Sequence, residues 1–323
     1  MKLKRFVIKG LGLEEIVEKR AYRKIPDCRS LPLEKRVEKM MEKYEKAVGY
    51  RMNMNNPKTY TEKLQWYKAF YIGDGHLERV VDKYLFKQFI HEKLGDGYTV
   101  PVYGVWEDVD SLIRDWDKLP EEFCLKSTVQ SEGRWIEFIH NKSEVNLKKK
   151  AKEWRKWFLW KKTLINGYTQ AYRNCKPRIL AEQYLENIKN QLFDYKFYCF
   201  NGDPFCCCVN TQHFEKGKEH TFPITYYDMN WEKIDVRSGV HETEDCAKPS
   251  HYDEMVEISK VLSKDFPHIR VDFFDTGDKL YLSELTLYSG GGYFKYDPES
   301  FNVKMGELFV LPHDNSVLSL PSE

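Results

Sequence analysis

The most restrictive feature of this sequence is a pair of apolar strands near residue 270 that carry charged side chains in their interiors. The first strand contains Arg270-Val-Asp272, the second contains Ser283-Glu-Leu-Thr286, and a turn at Asp275-Thr-Gly-Asp278 joins them. Acidic groups inside apolar strands are costly to bury unless they are paired or bound to a metal. The chain must therefore fold so that these charges find partners.

The spacing within the two strands decides whether the charges meet. Side chains alternate along a strand, so Arg270 and Asp272 share one face, as do Glu284 and Thr286. An odd-length turn would pair Arg270 with Glu284 and place all four side chains on one side, whereas an even-length turn would separate them. We expect the odd-length connection, with Gly277 as a left-handed turn residue. Two nearby hard oxygens suit Mg²⁺; the alternative is a buried Arg270–Glu284 ion pair with Asp272 exposed.

Helices and clusters of strands alternate along the 323 residues, which indicates the α+β class. Apolar residues make up 41% of the chain, so most of it is expected to be ordered. Helical spacing of apolar residues predicts a helical N-terminal region over 1–75.

Two lysines and one strand end have the chemistry of an anion site. Lys83 lies on a helix predicted over 77–94, and Lys126 ends a predicted strand before the loop over 127–134. A lysine at the end of a buried strand, next to loop amides, can hold phosphate oxygens. The segment 178–186 is an apolar strand that ends in polar residues, where backbone groups can read a purine ring. Each pattern alone is also common on protein surfaces.

Charge and hydropathy exclude several classes of protein. The 51 basic and 50 acidic side chains leave a net charge of +1, which disfavours a nucleic-acid binder. No apolar run approaches the roughly 20 residues that span a bilayer, and we expect a cytoplasmic protein. The eight cysteines lack Cys-x-x-Cys spacing, and the run at 206–208 is interpreted as small strand residues.

A predicted basic helix over 141–162 carries nine basic and two acidic side chains, interleaved with aromatic ones. Such a segment could contact an anionic membrane, at the inner face, or an acidic polysaccharide. The alternative is a helix with one aromatic core face and one solvated face.

Taken together, these segments resemble the ATP-grasp fold. Lys83, Lys126, the strand end Glu182-Gln-Tyr-Leu185, and Arg-x-Asp followed by Glu-x-Thr have its order and spacing. More narrowly, residues 56–66, residues 194–202 and the region around Glu284 resemble the TupA-like (teichuronopeptide-biosynthesis-like) ATP-grasp family. The resemblance covers about 50–312 and implies two α+β lobes that clamp ATP, preceded by a helical N-terminal region. The first lobe would cover 76–185, and the second would cover 186–323 and carry the acidic strands.

The resemblance also implies a role for each candidate residue. One set of residues would contact the phosphates, adenine and ribose of ATP. This set comprises Lys83, Lys126, Ser131, Gly133, Glu182, Gln183, Tyr184, Leu185, Glu186, Asn187 and Lys196. Asp272, Glu284 and Thr286 would bind Mg²⁺, and Arg270 and Lys126 would be catalytic. Three features depart from common ATP-grasp sequences: Thr286 stands where many have Asn, the loop at 127–134 has one glycine, and helices replace a Rossmann-like first domain.

The implied activity is that of an ATP-dependent carboxylate–amine ligase. Its substrates would be a carboxylate-bearing sugar or glycan, in a capsular or other cell-surface polysaccharide or its precursor, and an amine. A glycosyltransferase is the first alternative, although we find no Rossmann-like sheet for a nucleotide sugar. A sugar phosphotransferase would have the same ATP site, and a binding module with a vestigial site is the third alternative.

Overall fold

The computed structural model describes residues 31–129, 135–158, 169–185, 191–213, 223–238 and 243–318. The helices are α1 (Leu33–Val48), α2 (Tyr60–Phe70), α3 (Glu78–Val81), α4 (Lys83–Leu94), α5 (Val109–Asp115), α6 (Leu147–Trp154), α7 (Tyr252–Ser263) and α8 (Glu299–Leu308). The strands are β1 (Val102–Trp106), β2 (Phe123–Ser127), β3 (Ile136–Ile139), β4 (Ile179–Glu182), β5 (Gln191–Phe200), β6 (Asp203–His213), β7 (Ile224–Asp228), β8 (Lys233–Ile234), β9 (Arg237–Ser238), β10 (His268–Asp275), β11 (Leu280–Thr286) and β12 (Tyr296–Asp297). Short 3₁₀ turns occupy Trp116–Lys118, Lys142–Glu144, Arg155–Phe158 and Ser289–Gly292.

The N-terminal helices are fastened to the rest of the chain through α2. A capping box begins this helix, because Thr59 and Glu62 each accept a hydrogen bond from the other's backbone amide. Tyr60 is fully buried, and its hydroxyl lies 2.9 Å from Nε2 of His268 at the start of β10. The predicted helical N-terminal region is thus confirmed from residue 31 onward, and residues 1–30 lie outside the described ones. The lobe boundaries stay a prediction.

A four-stranded antiparallel sheet, in the order β1–β4–β2–β3, forms the smaller layer. One face of this sheet is apolar, and Phe123, Leu125 and Ile179 bury it against α5 and α6. Trp154 of α6 is fully buried in the same core. Because side chains alternate, Lys126 and Glu182 project from the opposite face.

A six-stranded antiparallel sheet, in the order β11–β10–β5–β6–β7–β8, forms the larger layer. Helix α7 covers one face; Tyr252, for example, packs 5.9 Å from Phe197. The opposite face is closed at one end by aromatic residues around His268, while its middle carries charged side chains. The cysteines at 206–208 are buried, free strand residues of β6, as predicted.

Two predicted helices differ from the structure. The helix expected over 77–94 is broken at Asp82, whose carboxylate accepts hydrogen bonds from the amides of Tyr84 and Leu85 and so begins α4. The continuous basic helix expected over 141–162 is wrong up to residue 158, because α6 begins only after Asn146, which caps it. Residues 159–162 lie outside the described ones.

Candidate active site

The hairpin of β10 and β11 brings the acidic strand residues together, but by a different route from the one expected. The connection at 276–279 has an even length, and Arg270 pairs with Thr286 and Asp272 with Glu284. A β-bulge between Asp272 and Phe273 shifts the register by one residue, so the same face is restored. The predicted Arg270–Glu284 pairing and odd-length turn are therefore wrong, while the shared face is correct. Gly277 does take the left-handed conformation, with φ of 83°.

Arg270 organises this face through its guanidinium. Its Nε and Nη2 donate to the two carboxylate oxygens of Asp272 at 2.7 and 2.6 Å. Nη2 also donates to Thr286 Oγ1 at 3.1 Å, and Nη1 lies 3.3 Å from Ser289 Oγ. Burial alone would raise the pKa of Asp272, but Arg270 and Lys196 outweigh it and hold this pKa below its usual range.

Lys196 of β5 is the second cation of the face. It lies opposite Asp272 in the β5–β10 register, with its Nζ 3.2 Å from that carboxylate, and it also forms an ion pair with Asp194. Burial would lower the pKa of Lys196, yet the two carboxylates raise it. Sequence reasoning did not assign Asp194 a role, although its place two residues before Lys196 on one strand was a usable signal. Burial raises the pKa of Asp194, and its Oδ1 is buried without a hydrogen-bond partner.

A second charged cluster lies on the open face of the smaller sheet. Glu182 forms ion pairs with Lys126, through Oε1, and with Lys87, whose Nζ is 3.0 Å from Oε2. Burial would raise the pKa of Glu182, but the two lysines lower it. Burial likewise opposes the charge of Lys126, yet Glu182 raises the pKa of that lysine. Lys87 is a site residue that sequence reasoning missed, although it follows Lys83 by one helical turn.

Helix α4 connects the two clusters. Its first residue, Lys83, lies 3.7 Å from a carboxylate oxygen of Glu284 on the larger sheet. One turn later, Lys87 reaches Glu182 on the smaller sheet. The backbone amide of Lys83 donates to the carbonyl of Thr128, which fixes the helix start against the end of β2. Cations from four elements, α4, β2, β5 and β10, thus surround two separate sets of carboxylates.

A family model described as TupA-like ATPgrasp matches residues 62–310. The chain belongs to the TupA-like ATP-grasp family. The matched span contains both charged clusters and all the predicted site residues. Membership in this family confirms the predicted ATP-grasp fold and brings ATP and Mg²⁺ as the ligands of the chain.

Solved structures similar to this TupA-like chain include ATP-grasp ligases. D-alanine–D-alanine ligase from Bacillus anthracis is 14% identical, the match covers 64% of this chain and 56% of that chain, and the TM-score is 0.34. D-alanine–D-alanine ligase from Helicobacter pylori is 15% identical, the match covers 72% of this chain and 61% of that chain, and the TM-score is 0.39. L-amino acid ligase from Bacillus licheniformis is 14% identical, the match covers 70% of this chain and 46% of that chain, and the TM-score is 0.40. The chain thus spans about half to three fifths of these proteins. No curated protein matches it.

The TupA-like chain has a donor set that fits Mg²⁺ bound together with a nucleotide. Asp272 and Glu284 lie opposite each other on one face, and Mg²⁺ in nucleotide sites commonly takes one or two carboxylates plus phosphate oxygens and waters. The Glu284 side chain is 33% exposed and so accessible to a ligand, whereas that of Asp272 is 1% exposed. Among the described residues, no cluster of three or more metal-ligating side chains exists that would hold a metal without a nucleotide.

The strand end predicted to meet adenine lies beside the smaller sheet. Gln183, Tyr184 and Leu185 are half-buried, and the Gln183 amide donates to the Pro101 carbonyl. The Tyr184 ring packs edge-on against the Phe138 ring, with 5.7 Å between the ring centroids, and Phe138 is 51% exposed. The predicted contacts Ser131, Gly133, Glu186 and Asn187 lie outside the described residues.

No helix in the described part of this TupA-like chain combines the length and apolar character needed to cross a membrane. Within the described part of the basic segment, Trp154 and Trp157 are buried in the core beneath the smaller sheet. Lys150 is paired with Glu137 and Glu153.

Proposed function

We propose that this chain is an ATP-dependent carboxylate–amine ligase that forms an amide bond on a capsular or other cell-surface polysaccharide or its precursor. The observation that carries the proposal is the row of Thr286, Arg270, Asp272 and Glu284 on one face of the larger sheet. The row offers carboxylates for a metal next to a guanidinium group whose Nη1 can donate to a second anion. The choice of a polysaccharide rests on the resemblance to teichuronopeptide biosynthesis alone.

The first half-reaction joins two anions. An oxygen of the substrate carboxylate attacks the γ-phosphorus of ATP, an acyl C–O–P linkage forms, and ADP leaves. At about 4 Å two like charges repel by ~4 kcal/mol when the effective dielectric is near 20, so the site must supply positive charge. We assign Lys83, Lys126 and Lys196 to the phosphates. Mg²⁺, when bound by Asp272 and Glu284, neutralises charge on the transferring phosphoryl group.

Arg270 is assigned to the reacting carboxylate and to the acyl phosphate made from it. Its Nε and Nη2 bind the two oxygens of Asp272, while its Nη1 makes only a long contact, to Ser289, and can donate to an oxygen of the substrate. In the second half-reaction the amine nitrogen attacks the acyl carbon. The C–N bond forms, inorganic phosphate leaves, and the amine proton passes to solvent or phosphate. Asp194 is a positioning residue here, because it holds Lys196. Thr286 holds Arg270 in addition to its proposed place beside the metal.

The remaining nucleotide contacts follow the family pattern. We assign Glu182, Gln183, Tyr184 and Leu185 to the adenine, and Glu186 or Asn187 to the ribose. The amides of the loop with Ser131 and Gly133 would add donors for the phosphates. Because the Glu182 carboxylate is engaged by two lysines, its contribution to adenine binding is assigned to the strand end rather than to its side chain.

Trapping with hydroxylamine tests the ligase directly. Purified protein is incubated with Mg·ATP, uronic-acid glycans and hydroxylamine, and hydroxamate is measured beside ADP. We expect hydroxamate and ADP in equal amounts, since hydroxylamine replaces the amine in attack on the acyl phosphate. ADP with a phosphorylated sugar and no hydroxamate would instead indicate a phosphotransferase. Transfer from a nucleotide sugar without ADP would indicate a glycosyltransferase.

The exposed basic segment supports a contact with acidic glycan or an anionic membrane surface at the cytoplasmic face. Lys148, Lys149 and Lys152 of α6 are exposed, and no ion pair is recorded for them among the described residues. We expect their replacement by Glu to weaken binding to long acidic glycans or anionic vesicles, more at low salt than at high salt. ADP release on a small acid should stay unchanged. Equal loss on small and long acceptors would place these lysines in the ATP site instead.

A further inference from the structure

The cluster on the smaller sheet poses a charge problem that the proposed chemistry does not solve. Lys126 is assigned to the phosphates of ATP, yet its Nζ is paired with Glu182. The Glu182 side chain is only 4% exposed, so water cannot replace a lost partner. If Lys126 turned to a phosphate and Glu182 had no other cation, a buried carboxylate would be left without a partner, which is strongly unfavourable.

Lys87 removes this problem by its position. It binds Oε2 of Glu182 while Lys126 binds Oε1, so the two lysines use different oxygens of one carboxylate. A second hydrogen bond at 2.8 Å, to the carbonyl of Val100, fixes the Lys87 ammonium. Its side chain is 11% exposed, against 20% for Lys126, so Lys126 is the more accessible of the two cations.

We infer that Lys87 is a positioning residue that holds the charge of Glu182 and thereby lets Lys126 engage the phosphates of ATP. Lys87 itself touches neither the phosphates nor the reacting atoms. The inference rests on the proposed role of Lys126 at the phosphates. Because Lys83 and Lys87 lie one turn apart on α4, the same helix serves a carboxylate of each sheet, Glu284 and Glu182.

The first experiment compares nucleotides by calorimetry. Lys87→Met should weaken Mg·ATP binding about tenfold or more, since hydrogen bonds to charged groups are the strong ones, and should leave adenosine binding unchanged. Lys93→Met is the matched control, because Lys93 lies on the same helix but pairs with Asp265 on the surface. Equal losses of ATP and adenosine, or a loss no larger than that in Lys93→Met, would overturn the inference. Lys87→Gln carries the same comparison if Lys87→Met does not fold.

A double-mutant cycle tests the mechanism. With Glu182→Gln the buried charge is gone, so Lys126 no longer needs to be released, and Lys87→Met should then cost little further ATP affinity. Additive losses would overturn the inference. Lys126→Met separates this outcome from the proposed function. If that variant binds Mg·ATP as the unmodified protein does, the phosphate role of Lys126 is wrong; if only Lys126→Met weakens binding, the role of Lys87 is wrong.

Discussion

Each of the two sheets carries a glutamate that pairs with a lysine of α4, but the electrostatic surroundings of the two glutamates are opposite. On the smaller sheet, Glu182 is buried and has a lysine on each oxygen. On the larger sheet, Glu284 is one-third exposed and meets Lys83 at 3.7 Å. The neighbour of Glu284, Asp272, is buried and carries Arg270 and Lys196. The larger sheet therefore combines Asp272, a carboxylate that is buried and fully paired, with Glu284, a carboxylate that a ligand can reach.

This difference separates stability from catalysis. A buried carboxylate with its partners in place contributes to a fixed geometry, and removing either side leaves an uncompensated charge. An exposed carboxylate with one long ion pair contributes little to folding but can accept a metal. We therefore expect Glu284 to matter for turnover and Glu182 for stability, with Asp272 affecting both.

The largest effect is expected for Glu284→Gln. This change removes a charged metal ligand worth several kcal/mol to the transition state, which is about 1,000-fold in rate. The free energy of unfolding should hardly change, because the side chain is partly exposed. ADP release and thermal unfolding measure the two effects. A variant that retains most of its turnover would contradict the assignment of Glu284 to the metal.

Glu182→Gln should have the opposite effect, a large loss of stability with a smaller effect on turnover. It leaves Lys87 and Lys126 without a carboxylate, and breaking such a buried pair costs about 3–5 kcal/mol of stability. Asp272→Asn should share this loss, since Arg270 and Lys196 lose their buried partner. Urea unfolding measures the loss. Equal stability of the Glu182 and Glu284 variants would remove the distinction between the two sheets.

Acid unfolding sharpens the same comparison. The pKa of Glu182 is lowered in the folded chain, so its stabilising contribution is present above the unfolded value, about 4.3, and is lost as pH falls through the folded value. Stability of the unmodified protein should therefore decrease below about pH 4, and Glu182→Gln should weaken this dependence. Glu284→Gln is the control. An unchanged pH profile in Glu182→Gln would show that Glu182 does not carry the effect.

Arg270→Lys should reduce turnover by about 10–100-fold, the value of one or two charge-assisted hydrogen bonds. Lysine keeps the positive charge near Asp272 but cannot bind its two oxygens and Thr286 at once. Hydroxamate formation from a uronic acid measures the loss. Arginine-like activity in this variant would mean that charge alone, and not the planar fork, is used at this position.

The face shared by Arg270, Asp272, Glu284 and Thr286 was predictable because alternation along strands is a local property. The register that produces this face was not predictable. It depends on the β-bulge opposite Asp272 and Phe273, where Ser283 is the extra residue, and this bulge has no signature in the sequence. An even connection at 276–279 without the bulge would have separated the acids.

The cations were only partly predictable for a related reason. Lys83, Lys126 and Lys196 stand at motif positions, but Lys87 becomes meaningful only when α4 is placed beside Glu182. The break of the helix at Asp82 decides that placement. An Asp before a helical run is a usable capping signal, yet whether it interrupts a helix is set by packing against Thr128. Ion-pair partners between distant segments are therefore the part that required the structure.

The smallest effect is expected for Thr286→Asn. Asparagine supplies the carbonyl ligand that many ATP-grasp sequences have at this position, and the amide oxygen can accept the hydrogen bond that Arg270 now gives to Thr286 Oγ1. Turnover should stay within about threefold, since Arg270 keeps one uncharged oxygen acceptor at this position. Thr286→Val is the matched control, because it keeps the shape and removes the oxygen, and it should lose more activity than Thr286→Asn. If Thr286→Val is as active as Thr286→Asn, no oxygen is needed beside Asp272 and Glu284, and the metal site consists of the two carboxylates alone.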